Sequence, residues 1–314
     1  MSRFSSSVIL VVTLIVGGFV YGSAQGRPGN PFHDHADTGE LIHVLPTPAS
    51  IHSPRDTQPT EAPVANGISV YPASYGSGGL TDHGGQEISN AAFVAIFWNS
   101  SVANSTETSP GFQYMKDQIP AFANAFGSGA SDYTIVQQYG TTSPIASTVA
   151  LTKVVLDAQP TQSKITDNSI RSYLGTLFQR GTLTPDSHTI YGIYFPKGMR
   201  VQLPGGSSCT NFCGYHSHFT YNGMEIKYAS FPYLNCSGCS LAGRSVADML
   251  TIVTSHEIRE AVTDPGDKNR NAWYDASGYE ADDKCAWHNL YPMTTGGFWV
   301  QPEYSNANGG CVVP

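Results

Sequence analysis

Charged side chains are scarce in this chain of 314 residues. It has 16 Lys and Arg against 24 Asp and Glu, a formal net charge of −8. Only 13% of its residues are charged, roughly half the usual share. No run of basic residues offers a surface that would neutralise phosphates, which excludes nucleic acid as a partner. No GxSxG motif supports a serine nucleophile. The 40% of hydrophobic residues exclude a mostly disordered chain, and the many Gly, Tyr, Ser and Thr residues favour a rigid, loop-rich extracellular domain.

Residues 1–24 have the pattern of a secretory signal peptide. Arg3 precedes a nearly unbroken apolar run from Val8 to Tyr21, and small residues lead to a cleavage point after Ala24. The run is shorter than the roughly 20 residues that a membrane-spanning helix needs, although an uncleaved anchor is the alternative. We expect a secreted, extracellular protein with no stable membrane insertion after signal cleavage.

Residues 25–66 are rich in Pro, His, Thr and Asp and show no apolar period. Such a segment buries too little apolar surface to offset its ordering entropy, so we expect a flexible leader or pro-segment. Its histidines leave open a metal-chelating or inhibitory pro-region. They are His33, His35, His43 and His52.

Residues 67–314 alternate strand-like and helix-like patterns and are enough for one well-cored domain. The apolar run at 91–98 is typical of a central strand buried on both faces. Helical periodicity predicts helices at 110–126, where Pro120 casts doubt on the middle, and at 167–180. Further strand candidates, rich in β-branched and aromatic residues, are 132–139, 188–195, 225–231 and 298–304.

All six cysteines lie in the last 106 residues. An even number in a secreted chain indicates three disulfides, although six cysteines allow 15 pairings. The expected pairs, which would close two tight loops and hold the C-terminal tail, are Cys209–Cys213, Cys236–Cys239 and Cys285–Cys311. Glycosylation sequons begin at Asn99, Asn104 and Asn235; the middle one is the best acceptor, and the last competes with disulfide formation.

The segment 243–265 is the most informative part of the chain. Ser245 with Asp248 three residues on resembles a capping box, and Pro265 ends the predicted helix. Continued in steps of three and four residues, its apolar stripe reaches an imidazole and two carboxylates. Burying such groups unpaired costs several kcal/mol, and a divalent cation removes that cost.

These three groups form an HExxE motif: His256, Glu257 and Glu260. In the HExxH helix of metalloproteases two ligands lie one turn apart, with the base next to the first. By analogy His256 and Glu260 would hold the ion, and Glu257 would deprotonate a water whose pKa the metal lowers. The alternative is a buried His–Glu hydrogen bond with exposed partners for Arg259, but the position on the apolar stripe favours a metal.

A third ligand must come from elsewhere in the chain. Acidic residues precede Cys285, which would fix their loop. Asp283 is the expected ligand, and Glu280 is its rival or a partner that orients the histidine. A calcium site or a solvated loop is the alternative. Asp264 would lie about 12 Å along the helix from His256, too far to share the ion, and is expected to cap the turn.

The segment 213–218 (CGYHSH) is a second candidate for a functional site. A disulfide-anchored loop could direct His216 or Tyr215 to the oxyanion of a hydrated peptide, with His218 as the second choice among the histidines. The alternative is an edge strand with surface histidines.

Two groups of proteins resemble the last third of the chain. Residues 255–265, 271–275, 280–285 and 300–306 resemble secreted bacterial and fungal HExxE proteins described as zinc metalloproteases. Residues 209–239 are similar to the plant EXORDIUM, or phosphate-induced protein, group. The plant members lack the His–Glu pair and are treated as cell-wall growth proteins. The resemblance therefore implies a shared fold, and implies catalysis only where HExxE is retained, as it is here.

We expect residues 67–314 to form one zincin-like α/β (α+β) domain, with a mixed twisted sheet, an active-site helix and a disulfide-stapled C-terminal lobe. The expected function is Zn²⁺-dependent hydrolysis of protein or peptide substrates. The rival is a non-catalytic, EXORDIUM-like protein that binds cell-wall polysaccharide. A weaker alternative is a carbohydrate-active enzyme with Glu257 and Asp283 as paired acids.

Overall fold

The computed structural model describes residues 30–51, 60–62, 67–141, 143–266 and 272–314. The predicted signal peptide and His52 lie outside these ranges. The strands are β1 (His33–His35), β2 (Leu41–Pro46), β3 (Ser69–Tyr71), β4 (Thr81–Asp82), β5 (Ala92–Phe97), β6 (Ala150–Leu156), β7 (Lys164–Thr166), β8 (Thr189–Tyr194), β9 (Arg200–Leu203), β10 (Gly206–Ser207), β11 (Phe212–Tyr221), β12 (Met224–Phe231), β13 (Trp273–Tyr274), β14 (Tyr291–Pro292), β15 (Trp299–Val300), β16 (Glu303–Ser305) and β17 (Gly310–Val313). The α-helices are α1 (Ser100–Ala103), α2 (Met115–Phe126), α3 (Ser131–Thr134), α4 (Asp167–Gln179) and α5 (Val246–Thr263), and 3₁₀ turns cover Ile135–Tyr139 and Asp283–Cys285.

A seven-stranded mixed sheet is the framework, with strand order β1-β2-β11-β12-β8-β5-β6. The four strands β12, β8, β5 and β6 are parallel to one another. The other three pairings, β11 with β12, β2 with β11 and β1 with β2, are antiparallel. Every residue of β8 is buried, as expected for a parallel strand covered on both faces. The expected α/β class with a mixed sheet is confirmed, and four smaller sheets accompany the main one in the described part of the chain.

The two faces of the sheet carry different helices. Helix α5 packs against β11 and β12, and α2 packs against α5 and against β5 and β6. On the opposite face, Tyr215 of β11 donates a hydrogen bond to Asp167, the first residue of α4. Because side chains alternate along a strand, Tyr215 and His216 point to opposite sides of the sheet. This alternation decides which β11 side chains can reach α5.

The predicted flexible leader is wrong for residues 30–51. Strand β2 pairs with β11 inside the main sheet, and β1 extends the sheet by one more strand. Ile42 and Leu45 are fully buried, so this part of the chain contributes to the core. The remaining residues of the predicted leader, apart from 60–62, lie outside the described ranges.

Most predicted elements are present, and one is wrong. The strands at 91–98, 188–195 and 225–231 and the helices at 167–180 and 243–265 are confirmed, while 298–304 forms two short strands. The predicted strand at 132–139 is instead a helical turn followed by a 3₁₀ turn. Its buried residues Tyr133, Val136 and Tyr139 recur every third position, the period of a 3₁₀ helix rather than of a strand.

Two of the three predicted disulfides are paired incorrectly, and Cys285–Cys311 is confirmed. The other bonds are Cys209–Cys236 and Cys213–Cys239. Strands β11 and β12 form an antiparallel hairpin, which places the start of β11 beside the chain that follows β12. The bonds therefore join the two arms of the hairpin rather than closing a tight loop within each arm.

The glycosylation candidates Asn99 and Asn104 differ in accessibility. Asn99 is buried, caps α1, and its amide donates to Gln159 O and Thr161 Oγ1 at 3.0 Å each. This geometry excludes a glycan on Asn99 in the folded protein. Asn104 is exposed at the end of α1, and its glycosylation stays a prediction.

Candidate metal centre

Helix α5 carries the HExxE residues and is buried on every side. The predicted capping box is present: Ser245 accepts from the Asp248 N–H, and the Asp248 side chain accepts from the Ser245 N–H. All 18 residues of the helix are buried, so neighbouring elements must supply hydrogen-bond partners for its polar side chains on every face. The predicted apolar stripe is therefore only one of several buried faces of this helix.

The structure brings together the three side chains predicted as metal ligands. His256 Nε2 lies 3.0 Å from Glu260 Oε2 and 3.7 Å from Asp283 Oδ1. One donor atom from each residue lies within 4.8 Å of the other two, and each residue is at most 1% exposed. Within the described ranges, His256 Nε2 has no close partner other than Glu260, and Asp283 Oδ1 has no hydrogen-bond partner. A nitrogen and two carboxylates thus converge, and only His256 and Glu260 pair with each other.

The loop that carries Asp283 is tied directly to α5. The Asp283 N–H donates to Glu260 Oε1 at 2.9 Å, and Asp283 Oδ2 accepts from the Glu280 N–H at 3.0 Å. Cys285, two residues further on, is bonded to Cys311 of β17. Next to Asp283, Asp282 forms a fully buried ion pair with Arg259 of α5. These contacts hold the acidic loop at a fixed position on the helix.

The side chain of Gln301 orients the His256 ring. The Gln301 amide lies 3.0 Å from His256 Nδ1 and donates to Asp282 O at 2.6 Å. The remaining ring nitrogen, Nε2, consequently faces the carboxylates. Outer contacts of this kind are typical of metal-binding histidines, whose second nitrogen is held by a neighbouring polar group. The sequence pattern gave no indication of this role for Gln301.

The histidine of β11 reaches the HExxE helix, whereas the tyrosine does not. His216 Nδ1 lies 3.2 Å from Glu257 Oε2 and 3.8 Å from Glu260 Oε2, and its Nε2 lies 3.3 Å from Asp264 O. Strand β11 is an interior strand between β2 and β12, so the alternative of an edge strand with surface histidines is wrong. The prediction for Tyr215 is corrected, because its hydroxyl group contacts Asp167 on the opposite face of the sheet.

A second group of donors lies next to the first. His43 Nδ1 is 3.0 Å from Glu280 Oε2, and one donor atom from each of His43, Asp264 and Glu280 lies within 4.8 Å of the others. Glu280, the predicted rival for the third ligand, thus belongs to this group rather than to the group around His256. The sequence indicates His43 only as one histidine of a metal-chelating leader; its position beside Glu280 depends on the long-range pairing of β2 with β11.

The concentration of buried acids shifts several pKa values. Burial, together with the nearby carboxylate of Glu260, raises the pKa values of Glu280 and Asp283 well above their ordinary range. Burial acts to lower the pKa of His256, but the carboxylates of Glu260, Glu257 and Asp282 together raise that pKa to about 10. Burial in turn acts to raise the pKa of Glu260, yet the imidazole of His256 lowers it. Buried acidic groups thus outnumber the nearby cationic groups, and a divalent cation would compensate part of this excess negative charge.

Comparison with known proteins gives no relative from which a function could be inferred. No family model, no curated protein and no solved structure matches the chain. Within the described ranges, no helix is both long and apolar enough to cross a membrane. The three disulfides fit an extracellular protein.

Proposed function

We propose that this protein is a secreted zinc-dependent peptidase with a zincin-like centre, related to the HExxE metalloproteases. The observation that carries the proposal is the convergence of His256, Glu260 and Asp283, with Glu257 beside them on the same helix. The first two residues lie one turn apart, and the third reaches them from a loop held by a disulfide. This is the arrangement that a three-ligand catalytic zinc site requires.

The donor set fits zinc better than a harder cation. Zinc accepts a mixture of imidazole nitrogen and carboxylate oxygen in sites with few protein ligands. Calcium takes six to eight oxygen ligands, whereas this group offers one nitrogen and two carboxylates. A cation would contact His256 Nε2, whose only close partner among the described residues is Glu260, and Asp283 Oδ1, which has no hydrogen-bond partner there.

Each neighbouring side chain has a distinct part in the proposed reaction. A bound zinc ion would supply Lewis-acid polarisation of a water and of the scissile carbonyl. Glu257 would accept a proton through Oε1, which has no hydrogen-bond partner within the described chain. His216 holds the other oxygen, Oε2, and so fixes the direction of the base. We therefore assign His216 a positioning role in place of the predicted contact with the oxyanion.

The centre is closed in this structure. His256, Glu257 and Glu260 are at most 1% exposed, so a peptide reaches them only after a covering element moves. The hairpin of β1 and β2 is one such element, because its His43 ring stacks on His216 with centroids 5.4 Å apart. An inhibitory pro-segment that includes this hairpin is accordingly part of the proposal.

The second candidate function is the non-catalytic, EXORDIUM-like binding of cell-wall polysaccharide, with the buried groups holding a structural cation. Two observations favour it: the complete burial of the centre and a separate open cavity of about 540 Å³. Phe219 and Tyr221 line that cavity together with Asn168 and Arg171. Aromatic rings beside hydrogen-bonding groups suit a sugar chain.

Zinc analysis and peptidase assays of matched variants separate the two functions. For a peptidase, we expect bound zinc and hydrolysis of an unfolded protein. Glu257→Gln should keep the zinc of this centre and lose about 10²–10⁴-fold in rate, and His256→Ala should lose the zinc of this centre together with the activity. If wild type with the hairpin proteolytically removed stays folded by circular dichroism and retains zinc yet hydrolyses nothing, the peptidase is overturned. Binding to insoluble cell-wall polysaccharide that Tyr221→Ala weakens would then support the second function.

A further inference from the structure

Three histidines form a row across the antiparallel part of the main sheet. His33 of β1 is the register partner of His43 of β2, and His43 is the register partner of His216 of β11. Neighbouring ring centroids are 5.2 and 5.4 Å apart. The middle ring, 5% exposed, directs Nδ1 towards Glu280. The sheet thus places an imidazole against Glu280, an acid that does not belong to the HExxE motif.

The donors around His43 are buried and not satisfied by the described protein. His43 Nδ1, Asp264 Oδ2 and both carboxylate oxygens of Glu280 have no hydrogen-bond partner within the described residues. Asp264 and Glu280 are 0% exposed. The other oxygen of Asp264 accepts from the Ala272 N–H at 2.8 Å, which leaves Oδ2 for a further contact. Buried polar atoms normally have a partner, so several at one point indicate a missing cation.

The basic side chains close to this group are already paired with other acids. Lys284 Nζ lies 2.7 Å from Asp275 Oδ2, and Arg259 pairs with Asp282. In the two groups and the adjoining Glu257, five buried carboxylates have no Lys or Arg partner among the described residues: Glu257, Glu260, Asp264, Glu280 and Asp283. With neutral imidazoles and ionised acids, one divalent ion would leave most of this charge uncompensated. Two ions would compensate nearly all of it.

The His43 group is separate from the proposed zinc centre. The two groups share no residue, and the His216 ring lies between them. Its Nδ1 faces Glu260 Oε2 at 3.8 Å, and its Nε2 faces Glu280 Oε2 at 3.9 Å. A cation held by His43, Asp264 and Glu280 would thus lie near Nε2 of this ring and one held by His256 and Glu260 near Nδ1, with the Glu260 and Glu280 carboxylates in contact between the two sites.

We propose that His43, Asp264 and Glu280 form a second site for a divalent transition-metal cation, next to the His256 centre. One imidazole and two carboxylates suit zinc or manganese, and provide too few oxygens for calcium. The site joins the N-terminal hairpin to the end of α5 and to the acidic loop. Cation binding would therefore hold β2 against α5 and the acidic loop, whether or not the protein is a peptidase.

Counting bound zinc in single and double variants tests the second site. After dialysis against Zn²⁺ and removal of free metal, wild type should retain two ions per chain by elemental analysis. His43→Ala and the near-isosteric Glu280→Gln should each retain one, as should His256→Ala, and His43→Ala/His256→Ala should retain none. The exposed His188→Ala variant is the matched control and should retain two. Circular dichroism verifies that each variant is folded.

Two outcomes overturn the second site. One is a wild-type chain with a single zinc that only His256→Ala removes, a result that leaves the peptidase proposal intact. The other is a pair of folded variants, His43→Ala and Glu280→Gln, that both retain two ions. Conversely, a wild-type chain whose single zinc is lost in His43→Ala and Glu280→Gln, and kept in His256→Ala, supports the second site and removes the basis of the peptidase.

Discussion

Gly214 of β11 lies so close to Val253 of α5 that a Cβ at Gly214 would come within 2.3 Å of Val253 Cγ1. The same Cβ would lie 3.1 Å from Glu257 Oε1. The missing side chain therefore lets the helix approach the sheet closely enough for His216 to contact Glu257. This packing contact, rather than backbone conformation, explains the need for glycine at this position.

We predict that Gly214→Ala destabilises the protein by about 1–3 kcal/mol, the usual cost of overpacking a close interface. Urea denaturation would measure the change. Gly175→Ala in α4 is the matched control, because its Cβ would meet nothing closer than Tyr221 Cε2 at 3.6 Å. That control should be neutral or gain about 0.5–1 kcal/mol from helix propensity. Equal stability of Gly214→Ala and wild type would contradict the close approach.

The sequence predicted α5 and its first group of donors because the signals are local. A capping box, helical spacing and an acidic loop before a cysteine all lie within 41 residues, from Ser245 to Cys285. His43 could not be found in this way, since it reaches the site only through the register of β2 with β11. The bonds Cys209–Cys236 and Cys213–Cys239 differ from the expected pairs because the β11–β12 hairpin brings together cysteines 26 or 27 residues apart, whereas the expected pairs joined cysteines within one short segment.

A second prediction concerns Gln301, which holds the His256 ring and Asp282 O. We expect Gln301→Leu to weaken zinc binding by about 10–100-fold, the usual effect of removing an outer contact from a metal-binding histidine. Competition with a chromogenic chelator would measure the affinity. Gln179→Leu, at an exposed position, should leave the affinity unchanged. Equal affinities of the two variants would show that the Gln301 contact does not support a metal site.

A third prediction concerns the buried pair Arg259–Asp282, both members of which are 0% exposed. Arg259→Met leaves Asp282 and the nearby Glu303 without their buried counter-charge, so we expect a loss of about 3–5 kcal/mol. Lys197→Met is the control, because Lys197 and its partner Glu107, 3.2 Å away, are largely exposed. A change of at most about 1 kcal/mol is expected there.

Thermal and urea denaturation would compare these two variants. The predicted loss arises from the uncompensated acids, so Arg259→Met/Asp282→Asn should recover part of it. A double variant that is no more stable than Arg259→Met alone would assign the loss to the packing of the Arg259 side chain instead.

The last prediction separates the stabilising effect of a disulfide from its effect on the proposed zinc site. Cys285–Cys311 and Cys209–Cys236 close loops of nearly equal length, with separations of 26 and 27 residues. Replacing either pair by serine should therefore cost about 3–4 kcal/mol through loop entropy. Only the Cys285–Cys311 bond holds the loop that carries Asp283. We expect its removal alone to weaken zinc binding, by about tenfold or more. A comparable loss of zinc affinity in both double variants would show that the effect comes from reduced global stability. Unchanged affinity in both would show that zinc binding does not depend on a disulfide that anchors the Asp283 loop.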